Sequence, residues 1–77
     1  MLATYIDEDY TYKDAISGNE IELLRDETYD IELQYEGPQV IINGQPVIHP
    51  EGTFWVCFEN DIRIPYAPQL IHKFWRE

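Results

Sequence analysis

The sequence predicts an all-β protein, a small antiparallel meander of about six to seven short strands with a short C-terminal helix, and three observations predict it. Apolar and polar residues alternate with period two from Tyr29 to Glu36: Tyr29, Ile31, Leu33 and Tyr35 against Asp30, Glu32, Gln34 and Glu36. That period marks a strand with one dry and one wet face. Asn43-Gly44 stands between two apolar runs, and a type I′ hairpin turn needs positive φ at both of its central residues. Every glycine and every proline falls at a predicted turn, strand edge or helix start, so local and global signals agree.

Residues 2–6 form a short first strand, which Asp7-Glu8-Asp9 breaks. Tyr10 to Ile16 is an edge element. Tyr10, Tyr12 and Asp14 share one face, and Thr11, Lys13 and Ala15 the other, so neither face is dry. Ser17-Gly18-Asn19 turns the chain. Glu20–Arg25 and Tyr29–Glu36 then read as the hairpin that organises the molecule. A loop of Asp26-Glu27 alone would set Leu23 against Asp30 and mix apolar with acidic side chains. A loop of Asp26-Glu27-Thr28 pairs Arg25 with Tyr29, Leu23 with Ile31 and Ile21 with Leu33, and is preferred, because a one-residue slip flips every side chain. The same register sets Glu22 opposite Glu32, a like-charge pair that destabilises a sheet.

Gly37-Pro38 ends that hairpin. Gln39–Asn43 and Pro46–His49 form the next one around Asn43-Gly44. Ile42 and Gln45 become a hydrogen-bonded pair. Pro46 then takes a site that needs no inward N–H, which puts the returning strand at an edge near it. His49-Pro50-Glu51-Gly52 is a turn. Thr53–Glu59 is the most apolar strand, dry on both faces and therefore central. Its return, Ile62–Tyr66, is reached by a two-residue turn that gathers Trp55 and Cys57 with Ile64 and Tyr66, or by a three-residue turn, Glu59 to Asp61. The second is preferred, since it gathers Phe54, Val56 and Phe58 with Ile62, Ile64 and Tyr66. Pro68 opens a helix over Gln69–Arg76, where Leu70 meets Phe74 and Ile71 meets Phe74 and Trp75. That helix is placed to cover the Trp55/Cys57 face. Curled on itself, the meander has the shape of a small SH3-like barrel, an analogy of shape that carries no function.

The 77 residues make one compact domain, 1–77, with a thin margin of burial. Cys57 is alone, so no internal disulfide forms. The N-terminus lacks the features of a signal peptide, and no apolar run approaches the ~20 residues that span a bilayer. The expectation is a soluble cytoplasmic protein. The net charge of −10 is lopsided: residues 1–36 carry eleven acids against Lys13 and Arg25, and residues 37–77 carry four acids against three bases. Such a field repels nucleic acid and anionic membrane and attracts basic surfaces.

No catalytic, cofactor or metal motif stands out. Cys57 lies mid-strand between Val56 and Phe58, an apolar place in an acidic chain, which suits a buried hydrophobe better than a nucleophile paired with His49 or His72. His49, Glu51 and His72 lack zinc-ligand spacing. Asp7, Glu8, Asp9 and Asp14 lack the spacing and central glycine of a calcium loop. Glu22 and Glu32 on an open face have no cleft to separate their acidities. No Gly-rich phosphate loop is present.

The expected function is therefore non-enzymatic. The carboxylate-rich hairpin face docks on a basic surface of a partner protein, with Glu20, Glu22, Asp26, Glu27, Asp30, Glu32 and Glu36, joined by Tyr10 and Tyr12, as the contact residues. Acids at alternate strand positions lie ~6.6–6.8 Å apart, a spacing that imitates a phosphate backbone. The sharp form of the expectation is a nucleic-acid-mimic inhibitor, of the phage anti-defence type, that blocks a nucleic-acid-binding protein. The alternative is an assembly module that self-associates through the edge Val47-Ile48-His49 and its apolar C-terminal segment.

Overall fold

The computed structural model describes residues 1–42 and 44–77 and shows four small antiparallel sheets. The strands are β1 (Leu2–Tyr5), β2 (Tyr10–Lys13), β3 (Glu20–Leu23), β4 (Thr28–Asp30), β5 (Glu32–Glu36), β6 (Gln39–Ile42), β7 (Gln45–Ile48), β8 (Thr53–Cys57), β9 (Arg63–Tyr66) and β10 (Trp75–Arg76). A single helical turn, α1 (Ile71–Phe74), precedes β10. The sheets run β10-β1-β4, β2-β3, β5-β8-β9 and β6-β7. The all-β antiparallel character is as expected; the described residues form four separate sheets, and a closed SH3-like barrel is not shown.

Several local expectations hold. β8 is central between β5 and β9. The turn into β9 is the three-residue one: Phe54 pairs with Tyr66 and Val56 with Ile64, and Phe58 N–H donates to Ile62 O at 2.9 Å. Asp61 takes the left-handed position that closes such a loop, φ 63°. In the β6–β7 hairpin Ile42 stands opposite Gln45 and Ile41 opposite Pro46, as predicted. Its turn includes Asn43, which lies outside the described residues. Gly52 N–H donates to His49 O at 2.8 Å and closes the His49–Gly52 turn. Gly52 has φ +88°, and a Cβ there would run into the Tyr35 ring, so two independent constraints keep it glycine.

The organising hairpin is different. Its dry positions Leu23 and Ile31 are buried in one core, yet their strands do not pair. β3 pairs with β2, setting Glu22 opposite Thr11. β4 pairs with β1, Ala3 opposite Tyr29. β5 pairs with β8, setting Glu32 opposite Cys57. The turn at Leu24–Glu27 is closed by the Glu27 N–H on Leu24 O at 3.1 Å, and its other N–H groups reach other elements: Arg25 N–H donates to Asp9 Oδ1 at 2.8 Å and Asp26 N–H to Tyr5 O at 2.7 Å. Separation of the two runs avoids the Glu22–Glu32 repulsion and lets β1 bring Ala3 and Tyr5, 2% and 3% exposed, into the core. Leu33 and Tyr35, expected to be dry, are exposed because β5 lies at a sheet edge.

The C-terminal helix is corrected too. Only Ile71–Phe74 is helical, without a side-chain cap; Trp75 turns extended, φ −133° and ψ 139°, and joins β1 opposite Tyr5. One turn of helix is marginal by itself, and a strand pairing with a buried tryptophan outweighs it. Trp75 packs at 5.3 Å from Tyr5, 5.8 Å from Tyr29 and 6.0 Å from Phe58 between ring centroids. Trp75 thus enters the main core rather than covering Trp55, and Leu70 stays exposed.

Candidate functional site

A concavity grows from the loop between β1 and β2. Ile6 N–H donates to Phe74 O at 2.8 Å, and Tyr5 OH donates to Glu8 O at 2.8 Å, so both ends of Asp7-Glu8 are tied to the core. Asp9 is held by the Arg25 N–H. The loop closes one side of a cleft of about 460 Å³, walled by Tyr5, Tyr10, Tyr12, Tyr66 and Phe74 and floored by Ile64 and Pro65 of β9. Asp7, Glu8 and Asp9 line it together. The one ion pair among the described residues joins the Met1 ammonium to Asp30 at 3.2 Å, so none of these three carboxylates is in an ion pair.

The tyrosines register that field. Burial pushes the Tyr5 phenol up, and Asp7, Tyr10, Asp9 and Glu8 add to the shift. Burial raises Tyr12, helped by Asp14 and Tyr10. Tyr66 is pushed up to about 12, chiefly by burial, against the N–H that Trp75 Nε1 donates to its hydroxyl at 3.1 Å. Tyr5, Tyr12 and Tyr66 are therefore neutral phenols lining the same cleft as these carboxylates. Carboxylates beside aromatic rings favour a cation over an anion.

A second cavity of about 400 Å³ adjoins the first through Tyr12 and Ile42. It is lined by Asp14, Ile16, Ile41, Trp55, Asp61 and Arg63 among others. The Arg63 guanidinium lies 4.4 Å from the Trp55 ring centroid. Asp14 is 7% exposed, and the Ser17 N–H, at 2.8 Å, with other backbone N–H groups, holds its carboxyl below its ordinary value although burial acts the other way.

The residues expected to form one acidic face are dispersed. Tyr10 and Tyr12 are the two that reach the cleft. Glu20 and Glu22 lie on the wet face of β2–β3, with Lys13 opposite Glu20. Asp26 and Glu27 occupy a turn, and the Glu27 carbonyl accepts the Tyr5 N–H at 2.9 Å. Asp30 meets the Met1 ammonium. Glu32 and Glu36 stand on β5. The predicted single row of carboxylates is thus split between sheets. By sequence Asp7, Glu8 and Asp9 read as a strand break and as a poor calcium loop; the signal that marks them is the same Asp-Glu-Asp run placed between Tyr5 and Tyr10. Cys57 is half-buried, with its Sγ 3.8 Å from Trp55 O. Among the described residues no three His, Cys, Asp or Glu converge as a metal site, and no helix is long and apolar enough to cross a membrane.

Compared with known proteins, the chain matches no family model, no curated protein and no solved structure.

Proposed function

We propose that this protein is a non-enzymatic binding protein that docks on a basic surface of a partner protein, with the Asp7–Tyr12 cleft as the contact. One observation carries the reading: three carboxylates, none of them in an ion pair among the described residues, share a cleft with four tyrosine rings. Tyrosine supplies contact area at low entropic cost and is favoured at protein interfaces, and the carboxylates select Lys or Arg. The reading moves the contact from the 20–36 run to the preceding loop and keeps Tyr10 and Tyr12. Inhibition by nucleic-acid mimicry is its narrower form and draws on the net charge of −10.

The test is a titration of isotopically labelled protein with an oligolysine peptide, at low and at high salt. Shifts should cluster at Tyr10, Tyr12, Tyr66 and Phe74, fade in high salt, and weaken in the double variant Asp7→Asn, Glu8→Gln. Shifts confined to Glu20 and Glu22, or a response indifferent to salt, defeat the reading. The narrower form further requires that DNA compete with this protein for its partner.

Self-association keeps a specific support. Ile41 and Ile48 on the outer face of β6–β7 are 62% and 71% exposed, with Pro46 directly opposite Ile41. Light scattering checks it: a monomer at micromolar concentration removes this second reading.

A further inference from the structure

The backbone groups of β5 can be assigned to its two edges. Successive residues of a strand turn their N–H and C=O groups to opposite sides. Pro65 has no N–H and stands opposite Trp55, so Phe54 and Val56 carry the bonds between β8 and β9. The Phe58–Ile62 bond continues the same alternation. Thr53, Trp55 and Cys57 therefore turn to β5, where Glu36, Gln34 and Glu32 stand opposite them. Leu33 and Tyr35 are left pointing away from β8, and no strand pairs with them among the described residues. Ile31 closes one end of this open edge by exchanging backbone bonds with Met1, each at 2.8 Å. Pro38 lies just beyond the other end.

All five side chains of β5 are exposed. Glu32, Gln34 and Glu36 share one face, and Leu33 and Tyr35 the other. Edge strands of this kind are commonly blunted by lysine, proline or a bulge. β5 has no lysine or proline and carries glutamates at both ends. They act against a second copy: antiparallel self-pairing about Gln34 would set Glu32 against Glu36 twice, and like charges directly opposite destabilise a sheet. The same glutamates favour a basic strand. Positions opposite Glu32 and Glu36 are non-hydrogen-bonded sites, where side chains come closest.

We infer that the β5 edge accepts an extended segment of a partner protein with the pattern basic–apolar–any–apolar–basic. The segment adds antiparallel, its apolar residues exchanging backbone bonds with Tyr35 and Leu33 and its basic side chains meeting Glu36 and Glu32. This goes beyond the cleft reading, because the cleft is built on β9 and β5 lies on the other side of β8.

The test uses the labelled full chain and a short peptide centred on Lys-Val-Thr-Val-Lys. In the free protein the Leu33 and Tyr35 amides exchange faster than those of Glu32, Gln34 and Glu36. At saturation with peptide they gain at least about tenfold protection, and N-methylation of both peptide valines weakens binding by at least about tenfold. N-methylation of the central threonine, whose N–H faces away from β5, leaves affinity within about twofold. Leu33 and Tyr35 amides that are already protected, that stay unprotected with peptide bound, or a threonine methyl that harms as much as the valine methyls, overturn the inference. Peptide shifts confined to Tyr10, Tyr12 and Tyr66 sink the edge and spare the cleft; edge protection with an unmoved cleft does the reverse.

Discussion

The β6–β7 hairpin and the C-terminal segment are both short, and they were shaped by different forces. The hairpin folds as its own sequence directs. Its register follows from a two-residue turn, and Pro46 sits where no inward donor is needed. Yet Val40 alone of its described residues is buried, outside the main cluster. The C-terminal segment carries helical spacing over Gln69–Arg76, yet its helix stops at Phe74 and Trp75–Arg76 turn extended, with Trp75 wedged among Tyr5, Tyr29 and Phe58. A segment with little to bury keeps its local preference. A segment that owns a large aromatic side chain gives up that preference for the site that buries it.

The contrast breaks first under truncation. Removal of residues 68–77 takes away β10 and Trp75, and the remaining chain should show no cooperative melt. The milder Trp75→Ala costs about 3–5 kcal/mol by urea unfolding. A truncated chain that melts near the full-length temperature would return the C-terminus to the status of an appendage.

Alkaline pH probes the same region. The folded Tyr66 phenol titrates near 12, above its ordinary value of 10, so the folded state holds that proton more tightly than the unfolded chain. Its contribution is complete below pH 10 and is lost as pH rises towards 12. Tyr66→Phe should lower stability at neutral pH through the lost partner of Trp75 Nε1, and flatten the alkaline slope. An unchanged slope would assign the alkaline loss to other tyrosines.

Val40→Ala removes two buried methyl groups and costs about 1–2 kcal/mol. Its signature is regional: amide exchange should quicken in residues 39–48 before the main core responds. A uniform rise across the chain would show the hairpin to be as well integrated as the C-terminus.

The smallest effect concerns a contact that does not form. Glu22 faces Thr11 and Glu32 faces Cys57. The stability coupling between Glu22→Gln and Glu32→Gln in a double-mutant cycle should fall within about 0.3–0.5 kcal/mol of zero. If each single change stabilised the protein and the double change added nothing further, the two carboxylates would be repelling each other and the local hairpin would be restored.

The sequence by itself determined the strand class, most turns, the place of β8 and the registers of β6–β7 and β8–β9, because adjacent strands joined by short turns leave few alternatives. It also marked part of the core: Leu23 and Ile31 are dry, as their alternation required, whereas Leu33 and Tyr35 of the same run are exposed. Tertiary structure decided partners. Period two says that a residue is buried and is silent about against what, so the 20–36 run could be read as one hairpin while β1, β2 and β8 compete for the same edges. The candidate site was legible only in its chemistry. An acidic, tyrosine-bearing surface follows from composition, but the meeting of Asp7–Asp9 with Tyr66 and Phe74 needs β10 beside β1, which fixes the end of the chain against its beginning. Contacts between residues that far apart in sequence depend on which non-local pairing buries most, a quantity that no local pattern encodes.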